Sequence, residues 1–291
     1  MDLNALLATP AVLPSMPKAV ALLMSELAHH EPSLRRVNQL FGTDPALAAR
    51  LLERANSDAF DAPRTVAGIA EALALLGTAQ LRELVGTAPL GTTSRSVPGM
   101  NLQQFWRYSL ATAKYARSLA GSVLQSQPAA YTAGLLHGMG ELLIHLADPE
   151  RVQSLNTLVG PLDLRRCKLE TRIFGYCYSQ VSAQLAQRWQ LPESVVDALK
   201  YLHAPFDNRA YEPLAGVVHL AVWRVRAHEA GMGEKEMVVS FPDQVGLPLG
   251  LDIDMVLRQD PIDWTPKPDV DDGNGDDGSG SDADSLNVYL V

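Results

Sequence analysis

Apolar side chains recur at three- and four-residue spacing from the N-terminus to about residue 240, with polar residues between them. This period places the apolar side chains on one face of an α-helix, and the strict alternation of a half-buried strand does not compete with it. Short breaks with capping residues or proline separate the stretches. Asp44-Pro45, for example, offers a cap and a first-turn proline for a helix that carries Leu47 and Leu51. The pattern predicts an all-α protein.

The central stretch, residues 131–147, reads YTAGLLHGMGELLIHLA and sets His137 among leucines at helical spacing. Gly138 and Gly140 interrupt this helix, and each glycine costs about 1 kcal/mol relative to alanine inside a helix. The two glycines therefore predict a helix end and a tight restart. We expect Glu141 to be a solvated or salt-bridged surface residue, and His145 to be a single histidine with no partner set by spacing.

The breaks divide the chain into two predicted helical lobes, residues 1–90 and 101–260, joined by the small, polar and proline-containing segment GTTSRSVPGM. Residues 266–291 form a third region, a low-complexity tail with seven aspartates and one lysine. Such a polar tract cannot bury enough apolar area to offset its ordering entropy, which predicts disorder.

The tail also carries most of the formal net charge of −9, so the rest of the chain is nearly neutral. Without a basic excess we expect no binding to nucleic acid. The sequence lacks a long uninterrupted apolar run and a basic, apolar leader, which predicts no membrane insertion and a cytoplasmic location. Cys167 and Cys177 are interpreted as buried thiols, because two cysteines ten residues apart make neither a zinc knuckle nor a disulfide framework.

Several separated segments, in the same order, resemble the HDOD domain, a bacterial relative of the HD phosphohydrolase superfamily that is associated with signal transduction. The resemblance covers roughly residues 12–230. The segments that carry it are LPSMPKAVALLMSEL, TDPALAARLLERANSDAFDAPRTVAGIAEALALLG, LRELV, FWRYSLATAKYARSLA, LETRIFGYCYSQVSAQLAQRWQLPESVVDALKYLHAP and HLAVWRV. The resemblance implies an all-α, two-lobed helical bundle.

In catalytic HD proteins the matching positions hold histidines and aspartates that bind a metal ion. Here the aspartate that follows the histidine is replaced by glycine, and most of the other positions have also lost their ligands. The resemblance implies a vestigial pocket formed by His137, Tyr108, Gly138, Tyr178, His203 and Val222. A metal ion needs several convergent nitrogen and oxygen ligands, so we expect no catalytic residue, no metal and no cofactor.

The resulting functional hypothesis is a non-catalytic signal-transduction or regulatory module that acts by binding a protein partner. Two alternatives stay open. One is a divergent metal-dependent phosphohydrolase, whose activity would depend on His137. The other is a sensor that binds a small ligand, such as a nucleotide second messenger, in the old cavity.

Overall fold

The computed structural model describes residues 2–9, 12–57, 65–90, 97–206, 211–259 and 261–262. The predicted acidic tail, 266–291, lies outside these ranges. The described residues of the N-terminal part form α-helices and no sheet, although an isolated parallel bridge joins Ser15 and Leu90. These helices are α1 (Leu3–Ala8), α2 (Pro17–Ala28), α3 (Leu34–Thr43), α4 (Pro45–Ala55), α5 (Ile69–Leu75) and α6 (Thr78–Gly86).

The predicted cap at Asp44 is confirmed and also joins two helices of this lobe. Its carboxylate accepts hydrogen bonds from the backbone N–H groups of Ala46 at 2.8 Å and Leu47 at 3.0 Å. The second carboxylate oxygen accepts from the N–H of Met16, the residue before α2. One buried side chain thus caps α4 and holds the beginning of α2 against it.

The C-terminal part is also helical throughout its described residues. Its helices are α7 (Leu102–Ser122), α8 (Gln127–Leu136), α9 (Met139–Ala147), α10 (Pro149–Asn156), α11 (Arg166–Phe174), α12 (Tyr178–Arg188), α13 (Glu193–Lys200), α14 (Pro213–Glu229), α15 (Glu234–Ser240), α16 (Asp243–Gly246), a 3₁₀ turn (Leu247–Leu249) and α17 (Ile253–Arg258). Helix α7 packs along α8 and α14, while α12 packs on α9 and α13. The predicted helix, turn and helix over residues 131–147 is confirmed, since α8 ends at Leu136 and α9 begins at Met139.

The all-α, two-lobed bundle predicted from the sequence is therefore the observed fold. Helices α3 and α4 of the first lobe contact α7 and α8 of the second. Two hydroxyl groups of α8 reinforce this junction, because Tyr131 donates to the Gly42 carbonyl at 2.8 Å and Thr132 donates to the Ala67 carbonyl at 2.6 Å. Helix α1 crosses over and packs on α9 and α12, so the N-terminal segment helps to cover the second lobe.

Two cavities follow from this arrangement. A groove of about 490 Å³ runs between the lobes and is lined from α3, α5, α7 and α8. A much smaller cavity of about 30 Å³ lies inside the second lobe, where α7, α9, α12 and α14 meet at the turn that follows α8.

Candidate functional site

The small cavity of the second lobe contains most of the residues that the sequence singled out. Tyr108, His137, Gly138 and Tyr178 all line it, and Arg226 closes it. The Tyr108 and His137 rings meet edge to face with centroids 4.9 Å apart, and the His137 and Tyr178 centroids are 6.4 Å apart. A volume of about 30 Å³ accommodates about one or two water molecules.

His137 is a fully buried, neutral imidazole in the turn between α8 and α9. Its Nδ1 lies 2.6 Å from the Gly134 carbonyl oxygen, which can only accept, so Nδ1 carries the proton. Burial lowers the pKa of His137 to about 3, and the positive charge of Arg226 adds to the shift, while the bond to Gly134 opposes it. Its Nε2 is buried without a protein hydrogen-bond partner. The ring therefore keeps one free lone pair at neutral pH.

Gly138 has no room for a side chain. A Cβ atom built there would lie 2.9 Å from Cε2 of Phe105, a buried ring on α7. The backbone of Gly138 has φ −90° and ψ 0°, which other residues adopt, so the restriction is steric and not conformational. An aspartate at this position would have to displace Phe105 before it could reach a metal ion.

Gly140 has a separate role in packing α9 against α12. A Cβ atom at Gly140 would lie 2.1 Å from the Tyr178 carbonyl oxygen, well inside van der Waals contact. The close approach lets the Gly140 N–H donate to the Ser182 hydroxyl at 2.8 Å, and that hydroxyl donates to the His137 carbonyl at 2.7 Å. The second glycine of the stretch thus fixes the position of His137.

Arg226, on α14, places a guanidinium group among the two tyrosines. Its Nε donates to the Tyr108 hydroxyl at 2.9 Å and its Nη2 donates to the Tyr178 hydroxyl at 3.0 Å. Its Nη1 donates to the Asp163 carbonyl at 3.2 Å. The side chain is 3% exposed, and among the described residues no carboxylate forms an ion pair with it. Burial raises the pKa of both tyrosines, so the partners of this arginine are neutral hydroxyl groups.

The expectation that Glu141 lies at the surface is wrong. Glu141 is 4% exposed, lines the cavity, and has a carboxylate oxygen 2.8 Å from Nε of the buried Arg166. The Arg166 Nε–H donates its hydrogen bond to Glu170, at 2.9 Å. The contact between Arg166 and Glu141 is therefore an ion pair without a hydrogen bond. Position 141 is buried because α9 packs against α12 and α10, and because Arg166 of α11 reaches its carboxylate.

His145 also has partners, contrary to the sequence-based interpretation. It lies one turn after Glu141, with its Nε2 3.6 Å from the Glu141 carboxylate and 3.2 Å from Nη2 of Arg166. Its Nδ1 lies 2.8 Å from the Pro98 carbonyl oxygen, so Nδ1 donates and Nε2 accepts from the arginine. Glu141 and His145 belong to one buried network centred on Arg166.

The remaining two sequence-predicted residues do not line the cavity. His203, in the turn after α13, packs its ring against the far side of the site, with its centroid 5.3 Å from that of Tyr178. Val222 is buried on α14 in the apolar core. Arg226, one helical turn after Val222, is the residue that reaches the cavity. The signal that could have revealed it is an arginine four positions after Val222, which places both residues on the same helix face.

These residues do not fit the metal ion that catalytic HD proteins bind. The position of the aspartate is blocked by Phe105, the segment of the last aspartate supplies a guanidinium, and Glu141 is engaged by Arg166. Of the described residues that line the cavity, only His137 keeps an imidazole nitrogen that could bind a cation. The arrangement is a polar centre built around a fixed internal positive charge.

Comparison with known proteins places this fold in a family. A sequence model of the HDOD domain matches residues 13–205, more than half of the chain. An uncharacterized protein of Treponema pallidum (strain Nichols) is 27% identical over 217 residues, which are 74% of this chain and 42% of that protein. The chain thus spans less than half of that relative's length.

Solved structures share the fold. The MmoQ response regulator of Methylococcus capsulatus str. Bath superposes with a TM-score of 0.66 at 22% identity, covering 86% of this chain and 98% of MmoQ. A Shewanella amazonensis SB2B protein named as a proposed phosphohydrolase gives a TM-score of 0.51 at 26% identity, covering 88% of this chain and 92% of that one. Among the described helices, none combines the length and apolar content that crossing a bilayer requires.

Proposed function

This chain belongs to the HDOD domain family, and we propose that it acts there as a non-catalytic regulatory module that binds a protein partner in a cytoplasmic signalling pathway. The observation that carries the proposal is the Arg226 guanidinium, held between the Tyr108 and Tyr178 hydroxyls at the centre of the former metal site.

A metal ion in this cavity would face a permanent positive charge. Arginine stays protonated in proteins, and two hydrogen bonds to tyrosines fix its position. A divalent cation about 4 Å away would be repelled by on the order of 8 kcal/mol at an effective dielectric constant of about 20. The one available ligand nitrogen, on His137, cannot offset a repulsion of that size.

The steric evidence points in the same direction. Phe105 occupies the space that a side chain at position 138 would need, and the Glu141 carboxylate is paired with Arg166. Activation of a water molecule by a metal ion requires an open but otherwise complete set of ligands. The proposal therefore assigns this centre to the stability and shape of the second lobe.

A signalling role is extended to this chain from a relative that shares the fold. MmoQ is named a response regulator, and its likeness to this chain, at 22% identity, concerns the fold. Modules without catalysis transmit signals by binding other proteins, which makes a protein partner the corresponding expectation for this chain.

The two alternatives make different predictions. The name of the Shewanella relative and the free Nε2 of His137 favour a divergent phosphohydrolase. A small-ligand sensor would not bind its ligand in the small cavity of the second lobe. That cavity has about 30 Å³, far below the roughly 300–1,000 Å³ of ordinary ligand sites. The interlobe groove of about 490 Å³ falls in that range and would be the place for such a ligand.

Hydrolysis assays test the non-catalytic part. Purified protein is incubated with phosphomonoesters, phosphodiesters and nucleotides in the presence of Mg²⁺, Mn²⁺ or Fe²⁺. We expect turnover equal to that of a metal-free control, and no change in a folded His137→Asn variant. Metal-dependent turnover that this variant abolishes would contradict the proposal and establish the hydrolase.

Partner capture tests the interaction part. The tagged chain is crosslinked in its native cells and purified, and we expect one protein to be recovered in near-stoichiometric amount by both the wild type and His137→Asn. Recovery of no such partner would contradict the proposal. If a nucleotide also raises the melting temperature of the purified protein, the sensor alternative takes its place.

A further inference from the structure

Two thiols and an imidazole converge on the outer side of Tyr178, away from the Arg226 centre. Cys167 lies on α11, Cys177 directly precedes α12, and His203 lies in the turn after α13. Their ligand atoms, two Sγ atoms and one ring nitrogen, all lie within 4.8 Å of one another. This is the one cluster of three such residues within that distance in the part of the chain that the structure describes.

Hydrogen-bonding groups of α12 hold the Cys177 sulfur in place. Its Sγ lies 3.3 Å from the Ser179 hydroxyl and also accepts from the Gln180 N–H as the N-cap of α12. These contacts place the Cys177 sulfur within 4.8 Å of the Cys167 sulfur and of the His203 ring nitrogen.

His203 supplies a ring nitrogen at the same place. Its Nε2 is buried and has no protein hydrogen-bond partner. The edge-to-face contact with Tyr178, at a centroid distance of 5.3 Å, and the contact with His219, at 6.5 Å, fix its orientation. A buried nitrogen lone pair without a partner points to a missing ligand.

The chemistry of these donors selects the class of ion. Thiolate and imidazole are the ligands of Zn²⁺ and other thiophilic cations, whereas Mg²⁺ and Ca²⁺ require oxygen ligands. Bond lengths of about 2.3 Å to sulfur and 2.0–2.1 Å to nitrogen put tetrahedral ligand atoms about 3.3–3.8 Å apart. The three ligand atoms would have to approach one another by about 1 Å to reach this geometry.

We propose that Cys167, Cys177 and His203 form a binding site for Zn²⁺, with a fourth position left to water. The site is distinct from the former HD centre, since none of the three residues lines the Arg226 cavity. It does not rest on the proposed function. Binding would tie α11, α12 and the turn after α13 together around the outer face of Tyr178.

Titration of the reduced protein with Zn²⁺ and Co²⁺ tests the site. Phosphine-reduced protein, with two free thiols verified, is expected to bind one equivalent of Zn²⁺. Bound Co²⁺ should show a sulfur-to-metal charge-transfer band, and excess Mg²⁺ should not compete. Absence of binding, or a Co²⁺ spectrum without thiolate character, would overturn the proposal.

Matched variants locate the site. Cys167→Ser, at a half-buried position that tolerates the change, and His203→Gln should each weaken Zn²⁺ binding more than about 100-fold, because changes outside the ligand set already cost about 10–100-fold. His137→Asn replaces a buried histidine outside the cluster and should keep wild-type affinity. Equal affinity in Cys167→Ser and the wild type, or loss of binding in the folded His137→Asn variant, would place the metal elsewhere and refute this assignment.

Discussion

Two buried arginines near Glu141 are stabilised in opposite ways. Arg166 is fully buried and forms salt bridges with Glu141, at 2.8 Å, and with Glu170, at 2.9 Å. Arg226 is held by the neutral hydroxyls of Tyr108 and Tyr178. The first arginine is paired directly with two carboxyl groups, whereas the second lies beside a small cavity and has no directly paired carboxylate among the described residues.

The difference separates a salt-bridged network from a centre held by neutral hydroxyl groups. In the Arg166 network the pKa of Glu170 is raised by burial and by the charge of Glu141, so one arginine serves two carboxyl groups. In the other centre the guanidinium positions the two tyrosine hydroxyls. Replacing each arginine by an apolar residue of similar length should therefore have unequal consequences.

The largest effect is expected for Arg166→Met. The substitution leaves Glu141 and Glu170 buried without their cation, and breaking a buried ion pair from one side costs about 3–5 kcal/mol. Chemical denaturation of the variant and the wild type measures the loss. Arg165→Met is the control, because the neighbouring Arg165 side chain is 70% exposed and should tolerate the change. A loss below about 1 kcal/mol for Arg166→Met would refute the structural role of the network.

Arg226→Met should lower the free energy of unfolding by a smaller amount, about 1–3 kcal/mol, in the same denaturation measurement. The variant loses hydrogen bonds to the Tyr108 and Tyr178 hydroxyls but leaves no buried carboxylate without its direct partner. The removal of a buried charge that has no directly paired carboxylate offsets part of the loss. A larger loss than that of Arg166→Met would reverse the comparison between the two centres.

His137 should by itself make the free energy of unfolding about 1–2 kcal/mol smaller at pH 5 than at pH 7. The unfolded chain takes up this proton near pH 6.5, whereas the folded chain resists it down to a pKa of about 3. Stability is therefore lost as the pH falls below about 6.5. The free energy of unfolding at pH 7 and pH 5 is compared between the wild type and His137→Asn, and the variant should lose less. An identical loss would mean that His137 is not buried as described.

The smallest effect, about 1 kcal/mol, is expected for Gly138→Ala. The added Cβ would meet the Phe105 ring edge at 2.9 Å, and overpacking of a buried contact costs about 1–3 kcal/mol. Gly160→Ala, where no atom lies within 4 Å of the added Cβ, is the matched control. A stabilising effect at position 138, after the comparison with position 160, would show that space for a side chain exists there.

The sequence predicted the local elements well because their causes are local. The cap at Asp44 and the interruption at Gly138 are both readable from neighbouring residues, and both are found in the structure. The sequence also indicated that Tyr108, His137, Gly138 and Tyr178 share a site, but this followed from family resemblance, since no spacing rule brings α7, α9 and α12 together.

Long-range partners were decided by the tertiary structure. Glu141 was interpreted as a surface residue because a carboxylate is normally solvated, and its partner Arg166 lies 25 positions away on another helix. For the same reason Cys167 and Cys177, ten residues apart, gave no metal signature until His203 completed the cluster.

By itself, the sequence determined the helical fold, the positions of its breaks and the glycine, in place of a carboxylate, at position 138. Only the tertiary structure decided that Arg226 lies between the two tyrosines, that Phe105 fills the space beside Gly138, and that two thiols lie close to an imidazole near Tyr178. The physical reason is that helix formation depends on neighbours along the chain, whereas burial of a charge depends on what distant helices bring against it.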